Sequence, residues 1–373
     1  MQIIRKTYKG YKPLYPIDRF CDVDKALFVD IETTGLKKET TSLYLIGCGH
    51  YTEEGFETTL FFADRCEEEH DILLRFADFV KGFTSLLHFN GLKFDIPYLS
   101  YKAQQYDMED PFASLTQIDV YKLCAPLRYL LFQDTMRQKA IEGFLGIKRD
   151  DRYGGGELIP VYKDYEAYGR DEDLTLLVTH NREDVLGMHL IMPILYYLDL
   201  KDAPLKFVSY RISDYTDFSG QIHSEVIFEY TTDVYFPRSF STKTESMYVK
   251  ASSDDGKILI RLPIYDTEMR LFYDNYRDYR YLPEEDMAVF KTVAQTLPKD
   301  RYIKATRENC YRKVSGRFLK QPGDHFQPSL RSSYKDKRRY FRFPEDFDEK
   351  TADEFGRKLI NVFFTMKRVR SPI

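Results

Sequence analysis

Apolar residues along the first two hundred positions fall into short runs and into helical spacings. Mostly apolar runs bounded by turn residues predict strands at 26–31, 43–49, 57–62 and 85–89, and one that ends at 117–120. Apolar positions three and four residues apart predict helices over 68–83, directly after Asp95 and over 172–198. Three consecutive strands, then alternating helices and strands, then a long helix predict an α/β fold with a mixed sheet flanked by helices.

Two segments of this half have a weaker pattern. Residues 1–25 show little hydrophobic period, so we predict an N-terminal arm that leads into the first domain. Residues 146–170 are rich in charge and contain Gly154-Gly155-Gly156, which favours a linker or a slightly ordered loop. A mobile flap over a substrate is the alternative for the same glycine run.

The second half is β-rich. Alternating segments predict strands at 206–212 and 224–230, and two more strands flank the hairpin signature Asp254-Asp255-Gly256. Helical spacing predicts helices over 284–296 and 349–364. With a boundary near 199–204, we predict a first domain over 26–200 and a second, β-rich α+β domain over 205–373, whose fold the sequence does not specify.

Composition limits the class of protein. A chain of 373 residues is long enough for two hydrophobic cores. It has no apolar run near the roughly 18 residues that span a membrane, and no apolar segment of a signal peptide at its start, so we expect no membrane partner. The five cysteines are scattered without a Cys-x-x-Cys pair, which favours free thiols and a cytoplasmic location.

Charge is unevenly distributed between the two halves. Residues 1–200 hold 23 Lys and Arg against 33 Asp and Glu, a net charge of −10, whereas residues 201–373 hold 32 against 26, a net charge of +6. Residues 291–343 alone carry 15 basic and 4 acidic side chains, a net charge of +11. A basic second domain suits a polyanionic substrate, and a solvated basic surface without a partner is the alternative.

Aromatic and basic side chains are interleaved in the same region. Such a mixture suits single-stranded nucleic acid, because aromatic rings stack on unpaired bases and cations follow the phosphates. Half-buried strands show the same alternation, so both interpretations stay open. Examples are Tyr302, Tyr311, Arg312, Lys313, Arg317, Phe318, Tyr334, Lys335, Lys337, Arg338, Arg339, Tyr340 and Phe341.

The candidate chemistry lies in four acidic residues of the first half. Asp30 and Glu32 stand two residues apart at the end of a strand, where side chains i and i+2 share one face. Asp95 follows the turn Asn90-Gly91, and Asp184 lies on the long helix one turn after His180. Neighbouring carboxylates repel unless a cation lies between them, and Mg²⁺ and Mn²⁺ prefer hard oxygen ligands.

These motifs, in this order, resemble a known group. Asp30-Ile31-Glu32-Thr33-Thr34-Gly35, the Asn90–Asp95 segment and His180-x-x-x-Asp184 are similar to the three exonuclease motifs of the DEDD superfamily. The sequence around these motifs, including residues 139–149 and 181–185, most resembles the YprB-type bacterial ribonuclease H-like domain proteins, over roughly residues 20–200. The resemblance implies an RNase H-like mixed sheet in which the first and fourth predicted strands are neighbours and the long helix packs across them.

The resemblance also implies the site residues. Asp30, Glu32, Asp95 and Asp184 would be catalytic acids that hold two divalent metal ions, Mg²⁺ or Mn²⁺. His180 would be the general base, although this spacing usually places Tyr there and the His subclass places its His one residue further from the Asp. A helix-surface His180 that only packs or caps is the alternative.

Three further residues are predicted to contact the terminal nucleotide of the substrate: Thr33, Asn90 and Phe94. For Asn90 a plain turn is the alternative, and for Phe94 a place in the core. Asp119 ends a strand and can support the other acids or cap a helix.

The predicted function is that of a metal-dependent 3′→5′ exonuclease acting on single-stranded DNA or RNA by a two-metal-ion mechanism. Two alternatives remain: a nucleic-acid-binding or scaffold protein with weak or lost turnover, and a structure-specific endonuclease on the same fold. Protein partners are not predicted.

Overall fold

A computed structural model describes residues 1–343 and 347–366. The chain divides into two compact units, the first made of residues 1–128 and 133–198, the second of residues 129–132 and the described residues from 199 onwards. Residues 367–373, the end of the predicted second domain, lie outside the described residues. No helix among the described residues is long and apolar enough to cross a membrane.

The first unit is built on a six-stranded sheet in the order β1-β4-β3-β2-β5-β6. Strands β1 to β4 pair antiparallel, whereas β5 lies parallel to β2 and β6 parallel to β5. This is the predicted mixed sheet, with the first and fourth predicted strands as neighbours. The strands are β1 (Gln2–Lys9), β2 (Ala26–Thr33), β3 (Leu43–Thr52), β4 (Gly55–Phe62), β5 (Ser85–His88) and β6 (Thr116–Asp119).

Helices cover the sheet. The longest is α6, which packs on β2, β3 and β4, as the resemblance implied for the last helix. The helices of this unit are α1 (Glu69–Phe79), α2 (Asp95–Gln105), α3 (Val120–Cys124), α4 (Gln138–Leu145), α5 (Gly155–Tyr168), α6 (Asp171–Ile191) and α7 (Tyr196–Asp199).

The central strand β2 is buried on both faces. Leu27, Phe28 and Val29 are at most 1% exposed, because helices pack on each side of a strand that has neighbours at both edges. Each such side chain contributes about 1.5–3 kcal/mol through its removal from water. The strand is therefore a rigid platform for the polar residues at its carboxyl end.

Gly47 lets α6 approach the sheet closely. It faces Asp30 across the β2–β3 pair, and a Cβ built on it would lie 1.9 Å from Asn181 Oδ1 and 2.8 Å from Val185 Cγ2. A Cβ fits there only if the side chains of Asn181 and Val185, or α6 itself, move. The sequence shows only that a glycine lies in a strand. The close packing of α6 against this position explains why a residue without a Cβ is needed there.

We expect Gly47→Ala to destabilise the fold by about 1–3 kcal/mol or more, because overpacking forces α6 away from the sheet. Chemical unfolding measures the change. Gly143→Ala is the matched control, since a Cβ on this exposed helical glycine meets no atom within 4 Å. The control variant should be as stable as the wild type or about 0.5–1 kcal/mol more stable, and equal losses in both variants would contradict the close-packing argument.

Three predictions for local structure are wrong. The arm predicted for 1–25 contains β1, which pairs with β4 over its whole length. The linker predicted for 146–170 contains α5, whose Leu158, Tyr162 and Tyr165 are buried in the core. The three glycines misled the prediction because they lie before and within the first turn of α5, where backbone N–H groups need no helical partner.

The third error lies in the second unit, where the range 284–296, predicted as a helix, contains a turn, the strand β13 (Met287–Phe290) and one helical turn. The predicted hairpin at Asp254–Gly256 is confirmed, with β10 (Met247–Ala251) and β11 (Lys257–Phe272) antiparallel around it. The predicted helix over 349–364 is confirmed as α9 (Glu349–Thr365), which buries Phe355, Leu359 and Ile360.

The second unit has a seven-stranded antiparallel arrangement and a separate three-stranded sheet. It is therefore β-rich, as predicted. Its elements are β7 (Lys206–Thr216), β8 (Ile222–Thr231), β9 (Phe240–Thr244), β10 (Met247–Ala251), β11 (Lys257–Phe272), β12 (Tyr279–Leu282), β13 (Met287–Phe290), α8 (Lys291–Ala294), β14 (Ile303–Lys304), β15 (Tyr311–Gln321), β16 (Arg339–Arg342) and α9 (Glu349–Thr365).

Candidate active site

Asp30 and Glu32 leave the same face of β2 near its carboxyl end, because side chains two apart in a strand point the same way. The Asp30 side chain is half-buried and that of Glu32 is buried. Their face is the one on which α6 packs, so both carboxylates lie between the sheet and the helix. The local sequence places them, and the helix encloses them.

Asp95 is brought to β2 by a supported turn after β5. Asn90 adopts a left-handed conformation with φ 62°. Asp119, at the end of β6, accepts hydrogen bonds from the backbone N–H groups of Asn90 (2.9 Å) and Tyr121 (3.1 Å). Asp95 then opens α2, and the backbone N–H of Ile31 on β2 hydrogen-bonds to its carboxylate. Asp119 thus caps α3 and holds the turn that presents Asp95.

Helix α6 supplies three side chains to the same place. Asn181 Nδ2 donates a hydrogen bond of 2.8 Å to Asp30 Oδ2. His180 Nε2 lies 3.3 Å from Glu32 Oε1 and 3.3 Å from Asp184 Oδ2. His180 is only 3% exposed, so it is not the helix-surface residue of the alternative interpretation.

Asp30 interacts electrostatically with the other three predicted acids. Burial raises the pKa of Asp30 well above its usual value, and the charges of Asp184, Asp95 and Glu32 raise it further. Burial also raises the pKa of Asp95 to about 6, although backbone hydrogen bonds at Asp95 and Ile31 oppose the shift. The pKa of Glu32 is raised by burial, against the opposing hydrogen bond of His180. The structure therefore gathers the other three predicted acids around Asp30.

His180 responds to these acids in the opposite sense. Burial alone lowers its pKa, but the hydrogen bond with Glu32 and the charges of Glu32, Asp184 and Asp151 raise it to about 9. This value belongs to the arrangement in which the carboxylates face the imidazole with no cation between them.

A loop between α4 and α5 adds a group that sequence reasoning missed. Arg149 Nη2 lies 2.6 Å from Asp184 Oδ1, and Arg149 Nη1 lies 3.1 Å from Glu142 Oε1. Asp151 Oδ2 lies 2.8 Å from His180 Nδ1. The charge in 146–170 was interpreted as part of a linker or slightly ordered loop, which assigned no partners to Arg149 and Asp151.

Residues 27–196 match the family model of the RNase H superfamily. This part of the chain has an RNase H-like fold. The match confirms the resemblance at the level of the superfamily and the fold class of the first unit, and it supports nuclease chemistry. The YprB-type subgroup stays a prediction. A search of curated proteins finds no match to the chain.

Solved structures similar to the chain include a family B DNA polymerase from the archaeon Pyrobaculum calidifontis, at 18% identity and a TM-score of 0.37, over 47% of this chain and 25% of the polymerase chain. E. coli exonuclease I in complex with a 5cy-dT13 oligonucleotide is 12% identical with a TM-score of 0.31, over 61% of this chain and 54% of that chain.

Exonuclease I from Methylocaldum szegediense is 10% identical with a TM-score of 0.29, over 55% of this chain and 54% of that chain. The chain thus spans a quarter of the polymerase and about half of each exonuclease I chain. At these scores the likenesses carry no argument about activity, and the fold assignment rests on the family match and the strand order.

The donor set of the RNase H-like domain fits divalent cations. Glu32, His180 and Asp184 offer ligand atoms that all lie within 4.8 Å of one another. Asp30 and Asp95 add carboxylate oxygens whose raised pKa values reflect crowded negative charge. A bound dication would relieve this repulsion, and hard oxygen donors are the ligands that Mg²⁺ and Mn²⁺ prefer.

The predicted substrate-binding residues lie beside these acids in the sequence, but they have local partners. Thr33 is buried and its hydroxyl donates to the Gly35 carbonyl at 2.8 Å. Asn90 makes the left-handed turn described above. Phe94 is half-buried, packs against the core and contacts the Tyr98 ring at 5.5 Å between centroids. Their contact with a nucleotide stays a prediction.

We expect Mn²⁺ or Mg²⁺ to stabilise the metal-free protein. At a hundred times the dissociation constant, binding to the native state adds about 2.7 kcal/mol, which raises Tm by about 5–10 °C for a domain of this size. A thermal scan in EDTA and then in excess cation measures the shift, and KCl at the same ionic strength is the control. Equal Tm values in EDTA and Mn²⁺ would contradict a metal site at these acids.

Proposed function

We propose that the protein is a metal-dependent exonuclease that removes nucleotides from the 3′ end of single-stranded DNA or RNA. Asp30, Glu32, Asp95 and Asp184 would hold two divalent cations, Mg²⁺ or Mn²⁺. The observation that carries the proposal is the convergence of Glu32, Asp95 and Asp184 around Asp30 from three separate motifs. His180 faces two of these acids, Glu32 and Asp184. The RNase H-like fold is the scaffold on which such a set is expected.

When bound, the cations supply charge neutralisation and Lewis-acid activation of water and phosphate. The side chains of the protein position the reacting groups and deprotonate the attacking water. His180 Nε2, buried among the acids, takes the proton of the attacking water. The water oxygen bonds to phosphorus as the P–O3′ bond breaks, the leaving 3′ oxygen takes a proton from solvent, and a nucleoside 5′-monophosphate is released. The Asn181 amide N–H donates a hydrogen bond to the Asp30 carboxylate and fixes its orientation during the reaction.

Charge supports a polyanionic substrate. The net charge of −10 over residues 1–200 reflects an acidic catalytic half, and the +6 of residues 201–373 would attract phosphates to the second unit. Thr33, Asn90 and Phe94 would line the path of the terminal nucleotide. All five cysteines are free, which suits a reducing cytoplasm.

A 5′-labelled single strand incubated with the full chain and Mn²⁺ tests the proposal. A ladder that shortens stepwise from the 3′ end is the expected result, with DNA and RNA strands compared side by side. Discrete internal cuts would instead show an endonuclease. Binding without cleavage, unchanged in Asp30→Asn, would show a binding or scaffold protein.

A further inference from the structure

The imidazole of His180 is held from behind by a second carboxylate. Asp151 Oδ2 lies 2.8 Å from His180 Nδ1, while the opposite ring nitrogen, Nε2, faces Glu32 and Asp184 at 3.3 Å each. The side chains of both His180 and Asp151 are 3% exposed. Asp151 therefore contacts the side of the ring that points away from Glu32 and Asp184.

The loop that carries Asp151 is itself anchored to α6. The Glu183 carboxylate accepts hydrogen bonds from the backbone N–H groups of Asp150 (3.1 Å) and Asp151 (2.9 Å). The other Asp151 oxygen, Oδ1, accepts the backbone N–H of Tyr153 at 3.0 Å. Because both ends of the carboxylate are engaged, its direction relative to the His180 ring is set by the backbone.

We propose that Asp151 is a positioning residue for His180. Its carboxylate accepts the hydrogen bond from His180 Nδ1–H and so keeps Nε2 directed at Glu32 and Asp184. The proposal rests on the proposed function for its consequence in turnover. Physically, an imidazole has two similar edges, and only a fixed acceptor on one nitrogen decides which edge faces the reacting water. Without Asp151 the ring can rotate about its bond to Cβ, and a smaller fraction of molecules presents Nε2.

A merely structural role for Asp151 is the competing explanation. Asp151 Oδ2 also lies 3.2 Å from Lys139 Nζ and 3.4 Å from Arg149 Nη2, so the carboxylate helps to hold the loop. The two roles differ in one respect. Positioning acts through His180 and vanishes when the imidazole is removed, whereas loop anchoring persists without it.

A double-mutant cycle on the full chain separates the two roles. We expect Asp151→Ala to lower kcat by about 10–100-fold with little change in KM, as is typical for groups that orient a functional histidine. In a His180→Gln background the same change should have little further effect. Lys139→Ala is the matched control, since it removes another Asp151 partner and leaves the Nδ1 contact, and its kcat should stay near that of the wild type. An equal loss from Asp151→Ala in both backgrounds would overturn the proposal.

Nuclear magnetic resonance of the metal-free protein with ¹⁵N-labelled histidine gives a readout that needs no activity. The wild type should show a slowly exchanging, strongly hydrogen-bonded Nδ1–H proton of His180. That signal should be lost in Asp151→Ala and shifted in Asp151→Asn. The asparagine variant keeps the side-chain shape and serves as the test if the alanine variant unfolds. An unchanged signal in the variants overturns the proposal. A wild type that shows the signal but cleaves no strand overturns only the proposed function.

Discussion

Asp30→Asn should lower the rate of strand cleavage by about 10³-fold or more. The substitution removes one charge at constant shape from the centre of the acidic cluster, and the loss of several kcal/mol of charge stabilisation in the transition state corresponds to such a factor. The Asn side chain can still present an oxygen to the Asn181 amide, so the local hydrogen bond is retained. Single-turnover cleavage of an end-labelled strand in saturating Mn²⁺ measures the effect.

The same variant should be at least as stable as the wild type in EDTA. Burial and neighbouring acids raise the pKa of Asp30, so the native state binds this proton more tightly than the unfolded chain does. For an acid whose pKa is raised in the folded state, the contribution to stability is fully present below the ordinary pKa of 3.8. It is lost as the pH rises through the raised pKa of the folded state. Near neutral pH, Asp30→Asn escapes the loss.

Comparison of unfolding in EDTA at mildly acidic and neutral pH tests this directly. The free energy of unfolding of the wild type should fall as the pH rises over this range. Asp95, with its pKa of about 6, also contributes to this fall. The fall should be smaller in Asp30→Asn. Asp78→Asn, on an exposed acid of α1, is the control and should match the wild type in cleavage and in pH dependence. Full cleavage by Asp30→Asn would remove Asp30 from the site.

His180→Gln should lower turnover by about 10²–10⁴-fold, the usual contribution of a general base. Glutamine fills much of the imidazole volume and can hydrogen-bond to Glu32 or Asp151, but it cannot take a proton near neutral pH. Because the four acids remain, the Mn²⁺-induced rise in Tm should be close to that of the wild type. Cleavage rates and thermal scans on the same samples provide both measurements.

The thermal scan also separates two roles for this histidine. Its imidazole offers a ligand atom within 4.8 Å of those of Glu32 and Asp184, so loss of the Mn²⁺ effect in His180→Gln would show that the imidazole is a metal ligand instead of a base. His70→Gln, on α1, is the control and should behave as the wild type does. A wild-type cleavage rate in His180→Gln would show that the imidazole takes no proton.

The sequence by itself determined the central strands and the long helix of the first unit and the candidate acids that they carry, but it missed β1 and α5. Strand β2 is strongly apolar and bounded by turn residues, so its position and the shared face of Asp30 and Glu32 follow from the two-residue period of strands. Likewise His180 and Asp184 share a helix face because they are one turn apart. Such relations depend only on residues close in the chain.

Only the tertiary structure decided what closes the site. The place of Gly47 under Asn181, the bond of Asn181 to Asp30 and the contact of Asp151 with His180 join residues far apart in sequence. The charged segment before α5 favoured a linker or slightly ordered loop, because charge alone does not show whether a partner of opposite sign lies across the fold. Periodicity shows which face a side chain takes, whereas the partners on that face are set by how the helices and loops pack on the sheet.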